Sequence, residues 1–266
     1  MTTIRVKQLF SHPIKGLTPQ ILESVDLQAG HGIPGDRAFA LMYNSGTPDN
    51  ASPVVPWMKK QNFAMQCDWP GLAGLACHYD PTTSLLTVKR QEVELLVAKT
   101  NTSTGRDGIG NFFIGYLATS YPDRAAKHPQ QTTLRLVGDG DGKTRYPDRE
   151  VVHLSLINMA TINQLSEIAG HAVDVRRFRP NIVLDGIPAW EEFSWVGQEF
   201  KLGQARIAVT APINRCLNID VNPDTGERDI PLLSLLQKHF KHKQTGVLAK
   251  VITTGSVTLG DTLSSP

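Results

Sequence analysis

The chain has 266 residues, 40% hydrophobic and 20% charged, with 27 lysines and arginines against 25 aspartates and glutamates. A formal net charge of +2 gives no field strong enough to argue for nucleic acid or a membrane surface as partner, and no uninterrupted apolar run is long enough to cross a bilayer. Three cysteines, Cys67, Cys77 and Cys216, are too few for a disulfide framework and include no C-x-x-C pair.

The N-terminus, Met1-Thr-Thr-Ile-Arg-Val-Lys, has no apolar signal core, so a soluble cytoplasmic protein is expected. The length allows one large or two small domains with a sizeable core.

Along the first hundred residues, short runs rich in β-formers predict strands at Ile4–Leu9, Ile21–Leu27, Ala38–Tyr43, Leu75–Tyr79, Leu85–Val88 and Val93–Val97. Thr47–Pro56 reads as a proline-containing surface loop and Thr100–Gly110 as a polar, flexible stretch before a short helix at Asn111–Leu117. Pro122–Gln131 and Gly138–Glu150 read as polar, mobile connections. Val151–Leu154 predicts a buried strand feeding a helix that carries Ile157, Ile162, Leu165 and Ile168 and stops at Gly170. Strands follow at Ile182–Leu184, Glu199–Leu202 and Ala205–Thr210, the last broken by Pro212. Pro231 opens a helix with Leu232, Leu235, Leu236 and Phe240 on one face, and Val247–Thr253 and Ser256–Leu259 close the chain. Many short strands with few helices predict β-barrel modules with helical decoration, a mainly β (α+β) fold.

Three constellations can carry chemistry. Cys216 lies in Thr210-Ala-Pro-Ile-Asn-Arg-Cys-Leu-Asn-Ile-Asp220, just after a predicted strand, with Arg215 at its back. A thiol beside a guanidinium is biased toward thiolate, which attacks electrophiles or binds soft metals. A buried structural cysteine is the alternative, and a hydrolytic Cys–His pair gains nothing from spacing, since no histidine lies between His171 and His239.

In Arg177-Phe-Arg-Pro-Asn-Ile, Pro180 biases Arg179 toward extended geometry, so Arg179 and Asn181 project from a strand mouth. A guanidinium there suits bidentate binding of phosphate. The turns His12-Pro-Ile-Lys-Gly16 and Gly30-His-Gly-Ile-Pro-Gly-Asp-Arg37 are, taken alone, loop punctuation.

Taken together and in this order, the segments resemble the MOSC-domain family, whose C-terminal domain binds a molybdenum cofactor. Gly105-Arg-Asp107, Ser155-Leu-Ile-Asn158 at a helix start and Gly255-Ser-Val-Thr-Leu-Gly-Asp261 fit the same pattern. The resemblance implies a MOSC N-terminal β-barrel domain over residues 1–98, packed on a MOSC domain over 99–266. It implies that Cys216 is a molybdenum ligand and catalytic residue, and that Lys15, Arg37, Ser155, Arg179, Asn181, Asn214 and Arg215 bind the cofactor. Cys67 and Cys77 are left as packing or surface residues.

The amidoxime-reducing branch of the family reduces N-hydroxylated small molecules. The expectation is therefore a molybdenum-dependent oxidoreductase fed by a separate ferredoxin-, flavin- or cytochrome-type donor, since no cysteine cluster for an iron–sulfur centre is present. The alternative is a carrier of the cofactor, or of cysteine-bound sulfur, without turnover. Gly16 replaces the usual serine of the Pro-x-Lys-Ser motif, Asn214 stands where that branch has serine, and Leu217-Asn-Ile-Asp replaces a threonine-rich stretch.

Overall fold

The computed structural model describes residues 3–44 and 52–265. Positions 47–51 of the expected surface loop therefore lie outside the described residues, and 52–56 are neither helix nor strand.

The chain forms β1 (Ile4–Ser11), β2 (Ile14–Lys15), β3 (Gln20–Leu22), β4 (Ser24–Leu27), β5 (Phe39–Tyr43), β6 (Ala76–Asp80), β7 (Leu85–Arg90) and β8 (Val93–Lys99). Helices α1 (Ser103–Ser120) and α2 (Pro122–Lys127) precede β9 (Leu134–Gly138), β10 (Leu154–Asn158), α3 (Met159–Ala169) and β11 (Ile182–Asp185). Then come β12 (Glu199–Leu202), β13 (Ala205–Asn214), α4 (Leu232–Phe240), β14 (Gln244–Thr253), β15 (Gly255–Thr258) and β16 (Thr262–Ser264). The fold is mainly β with helical decoration, as the short alternating runs predict. No helix among the described residues is long and apolar enough to cross a membrane.

Seven strands close a barrel in the order β1, β11, β10, β14, β13, β12, β16 and back to β1, with β3 as an extra strand on β1. Closure removes the exposed edges an open sheet would present. Strand β1 reaches its place in the barrel through a bulge: its register on β11 shifts between Val6 and Gln8. The shift breaks the period of two and lets both Val6 and Leu9 point into the barrel, against Leu156, Ile182, Leu184 and Leu202. Phe10 then faces outward, where Ile162 and Leu165 of α3 and Leu232 and Leu236 of α4 cover it. Each such side chain taken fully out of water contributes about 1.5–3 kcal/mol.

A second core gathers Phe39, Leu41, Trp69, Leu86, Phe113 and Leu117. It lies between the three-stranded sheets β2-β5-β9 and β6-β7-β8, with α1 packed on β8 and β9.

Several sequence expectations differ from the structure; the expected strand Ile21–Leu27, for one, is split into β3 and β4. The flexible stretch and short helix are one 18-residue helix, α1, capped by the Thr102 hydroxyl, which accepts from the Gly105 N–H at 3.2 Å. Gly105 is not a breaker there: a Cβ would lie 2.0 Å from the Lys99 carbonyl oxygen, so glycine permits close helix–strand approach. Pro122–Gln131 is not an open connection but α2 and a 3-10 turn. Ile157 and Ser155 belong to strand β10, and the following helix starts only at Met159, where Asn158 Oδ1 accepts from the Ala160 N–H at 3.0 Å. β10 is buried along its whole length, which hides the period of two and makes strand and helix look alike in sequence. Finally, β13 runs on through Pro212 to Asn214, with Pro212 opposite Val247 between two register shifts that make the ladder irregular where a proline cannot donate. The strand thereby delivers Arg215 and Cys216 to one end of the barrel.

Arg106, one residue into the Gly105-Arg-Asp107 segment, holds this arrangement together. Its guanidinium donates to the carbonyls of Thr100 (2.8 Å), Gly138 (3.0 Å), Pro53 (3.1 Å) and Leu136 (2.8 Å). Arg106→Ala would strand these acceptors between α1, β8 and β9, and is expected to destabilise the protein by about 3 kcal/mol. Chemical denaturation checks this; a loss below about 1 kcal/mol would mean that water replaces the guanidinium.

Candidate functional site

The chain reversals that carry the motif residues converge. Lys15, Arg37, Ser155, Arg179, Asn181, Asn214, Arg215 and Cys216 all line one cavity of about 200 Å³. The wall from the N-terminal half holds Lys15, Gly16, Arg37 and Met65, and the facing residues come from β10, the turn before β11, and the segment after β13.

Cys216 sits between the end of β13 and a 3-10 turn, Leu217–Asp220. The Ile219 N–H bonds its carbonyl at 3.2 Å, and Asp220 Oδ1 accepts from the Leu233 N–H at 2.9 Å, tying the turn to the start of α4. The cysteine is half-buried and free.

Arg215 behind it points into the protein. Its Nη1 donates to the Phe178 carbonyl at 2.8 Å, its Nε and Nη2 donate to the Thr245 carbonyl, and the guanidinium lies 5.4 Å from the Phe178 ring centroid. Burial pulls its pKa down to about 9, against the opposing influence of Cys216 and Glu192. Its donors fix the cysteine loop to β14 and to the turn before β11.

Ser155 and Asn181 bond each other. Asn181 Oδ1 accepts from the Ser155 N–H and hydroxyl at 3.1 Å each, and the Ser155 hydroxyl accepts from the Asn181 N–H at 3.0 Å. They form a rigid cavity floor. Asn214 is exposed at the rim, at the end of the β13–β14 ladder.

The cationic wall is a linked set. Lys15, only 1% exposed, is paired with the Asp148 carboxylate. Burial lowers the Lys15 pKa while Asp148 raises it. The fully buried Asp36 accepts from the His12 N–H at 2.8 Å, from Arg145 at 2.9 Å and from Arg37. Burial alone would raise the Asp36 pKa, yet Arg37, His12 and Arg145 hold it well below the usual carboxylate range. Arg179 donates to the Leu17 carbonyl, bridging the two halves of the chain, and burial lowers its pKa to about 10, with Arg37 adding to the effect.

Arg37 (φ 56°) and Arg179 (φ 52°) both have left-handed backbones. For Arg179 this corrects the expected extended geometry. Pro180 disfavours the right-handed helical region for Arg179, but the 3-10 turn Val175–Phe178 ends in a left-handed cap, with the Arg179 N–H bonded to the Arg176 carbonyl at 3.0 Å. Two such residues among the cations of one cavity are the kind of strain that clusters at functional sites.

Sequence reasoning missed part of the wall. The Gly138–Glu150 stretch, expected to be a mobile connection, supplies Arg145, Asp148 and Arg149 to the cavity. Its Tyr146 is 1% exposed and bonds the Arg37 carbonyl through its N–H at 2.8 Å. No periodicity marks such a segment; only the buried aromatic among charges could have. Asn218, two residues after the cysteine, also lines the cavity, and its Oδ1 is buried without a partner. His153 also lines the cavity, with its Nδ1 turned to the Val151 carbonyl at 2.8 Å. Burial first, then Asp68, pushes the Cys67 thiol up to about 11, and burial pushes Cys77 up to about 12.

The MOSC domain profile matches residues 142–264, and the MOSC N-terminal beta barrel domain profile matches 3–128. The chain belongs to the MOSC-domain family. Over 138 residues it is 36% identical to mitochondrial amidoxime reducing component 2 of Rattus norvegicus, covering 48% of this chain and 40% of that protein. Over 132 residues it is 26% identical to molybdenum cofactor sulfurase 2 of Culex quinquefasciatus, covering 43% of this chain and 17% of that protein. The match thus spans less than half the length of either relative. Among solved structures, the YUAD protein from Bacillus subtilis is 11% identical with a TM-score of 0.42, covering 99% of this chain and 97% of that one.

Within this MOSC chain, Gly16 cannot simply be exchanged for the family's usual serine. Its φ is +82°, and a Cβ would lie 2.4 Å from the Ala64 carbonyl oxygen. Gly16→Ser is expected to destabilise the protein by about 2 kcal/mol, combining left-handed strain with a backbone clash. An unchanged denaturation midpoint would show that the Ala64 segment yields at no cost.

Proposed function

We propose that the protein binds a molybdenum cofactor in this cavity and reduces N-hydroxylated or N-oxygenated small molecules, with Cys216 as metal ligand and electrons from a separate donor protein. The observation that carries the reading is the cavity's polarity. A half-buried free cysteine lines one side, and on the other the linked set of Lys15, Arg37, Arg145 and Arg179 is balanced by the carboxylates of Asp36 and Asp148, four cations against two anions within that set. An excess of two positive charges suits the phosphate dianion of a pterin cofactor.

The donor set also fits the rest of such a group. Cys216 offers a soft sulfur of the kind molybdenum accepts, and the unpartnered Oδ1 of Asn218 offers an acceptor for a pterin N–H. Arg215, Ser155 and Asn181 act indirectly. By holding the Phe178 and Thr245 carbonyls and each other, they keep the cysteine loop and the floor in place without spending their donors on a ligand. The bound cofactor would supply two-electron oxygen-atom transfer, which no side chain in the cavity performs. Three cysteines are too few to hold a four-cysteine iron–sulfur cluster within these 266 residues, and the reading assigns electron supply to a separate donor protein.

The likeness to proteins named molybdenum cofactor sulfurase favours a second reading, a carrier of cofactor or of cysteine-bound sulfur. Turnover separates the two. Molybdenum-loaded protein given a strong chemical reductant and an amidoxime is expected to release the amidine. Fully loaded protein that is inert toward several N-oxygenated substrates would favour the carrier.

A further inference from the structure

Asp148 stands out within the cation cluster. It lies on the irregular segment between β9 and β10, its side chain is 62% exposed, and yet its carboxylate is paired with an ammonium on a lysine that is 1% exposed. Arg37 and Arg179 act on the same carboxylate. The chain is fastened just before it, by the Tyr146 N–H to the Arg37 carbonyl at 2.8 Å and by Trp57 Nε1 to the Pro147 carbonyl at 3.0 Å. One singly charged side chain thus reaches in from the cavity mouth and sits among three cations, on a backbone anchored immediately behind it.

We propose that Asp148 is an exchangeable internal counterion. It neutralises the cradle of Lys15, Arg37 and Arg179 when no ligand is bound, and it swings out when a phosphate monoester dianion takes its place. The cradle then admits dianions and resists singly charged ions, because an entering anion must replace a carboxylate that is already in contact with Lys15. The inference rests on the cofactor reading only for which molecule carries the phosphate; a pterin and a free metabolite share that chemistry.

The test uses full-length protein purified without cofactor, with inorganic phosphate as the probe in titration calorimetry. Asp148→Asn and Asp148→Ala are expected to bind phosphate at least about tenfold more tightly than the wild type, because the competing charge is gone. Lys15→Met is expected to lose binding. In the wild type, phosphate is expected to speed amide hydrogen exchange over residues 148–153. Asp148 variants that bind phosphate no better than wild type, exchange over 148–153 that does not change, or no phosphate binding by any variant would each overturn the proposal. Pterin-loaded wild type is expected to refuse phosphate. If it instead binds phosphate as the cofactor-free protein does, the cofactor reading of this cavity fails while the counterion exchange stands.

Discussion

Asp36→Ala is expected to destabilise the protein by about 3–5 kcal/mol, because it leaves buried cations without their carboxylate. The side chain of Arg145 is 4% exposed and that of Asp36 0%, so water does not readily replace the lost partner. Denaturant titration measures the loss, and a change below about 1 kcal/mol would mean that Arg37 and Arg145 find other acceptors.

The same cluster makes the fold acid-sensitive. His12 is fully buried, with both ring nitrogens unpartnered and its Nδ1 3.6 Å from Asp36. Burial first, then Arg179, lowers its pKa from 6.5 to about 3. Because the folded-state pKa is depressed, neutral His12 contributes stability that is complete above pH 6.5 and is lost as pH falls toward 3. Between pH 7 and 5 this amounts to about 2 kcal/mol, and a His12→Gln variant should show a flatter curve. Asp36, also depressed, adds a further loss only as pH falls below 3.8.

Cys216→Ser is expected to abolish turnover of an N-hydroxylated substrate. The serine oxygen is a harder ligand than a thiolate and a poorer partner for molybdenum. Pterin should largely remain, since the cations proposed to hold its phosphate lie elsewhere on the wall: Lys15, Arg37 and Arg179. Activity assays paired with pterin fluorescence separate the two effects. Loss of pterin together with activity would assign Cys216 to the fold of its loop.

How far the sequence could be read depended on the kind of signal each segment carries. Strands such as β4 and β7 are legible in sequence because one face is polar or exposed. β10 was not, because burial on both faces erases the alternation. Only Asn111–Leu117 of α1 is legible, because Gly105, Gly108 and Gly110 look like breakers until the Lys99 carbonyl beside Gly105 is seen. β16 was missed because its three residues, Thr262–Ser264, are too few to show a period, and only barrel closure between β12 and β1 gives them a place.

At the site, Lys15, Arg37, Arg179 and Cys216 could be picked out as motif residues, but the roles of their neighbours could not. Arg215 looks like a cation offered to a ligand, and only its bonds to the Phe178 and Thr245 carbonyls reveal a brace. Asp148 gave no signal at all, since a carboxylate in a polar stretch reads as solvated until its pairing with Lys15 is known.

Cofactor binding in this cavity is tested most directly by the molybdenum and pterin content of wild-type protein purified from a cofactor-competent host, beside Cys216→Ser and Lys15→Ala made in the same way. Equimolar molybdenum and pterin are expected in the wild type, pterin with depleted molybdenum in Cys216→Ser, and depletion of both in Lys15→Ala. A folded wild-type protein that carries neither would contradict cofactor binding here.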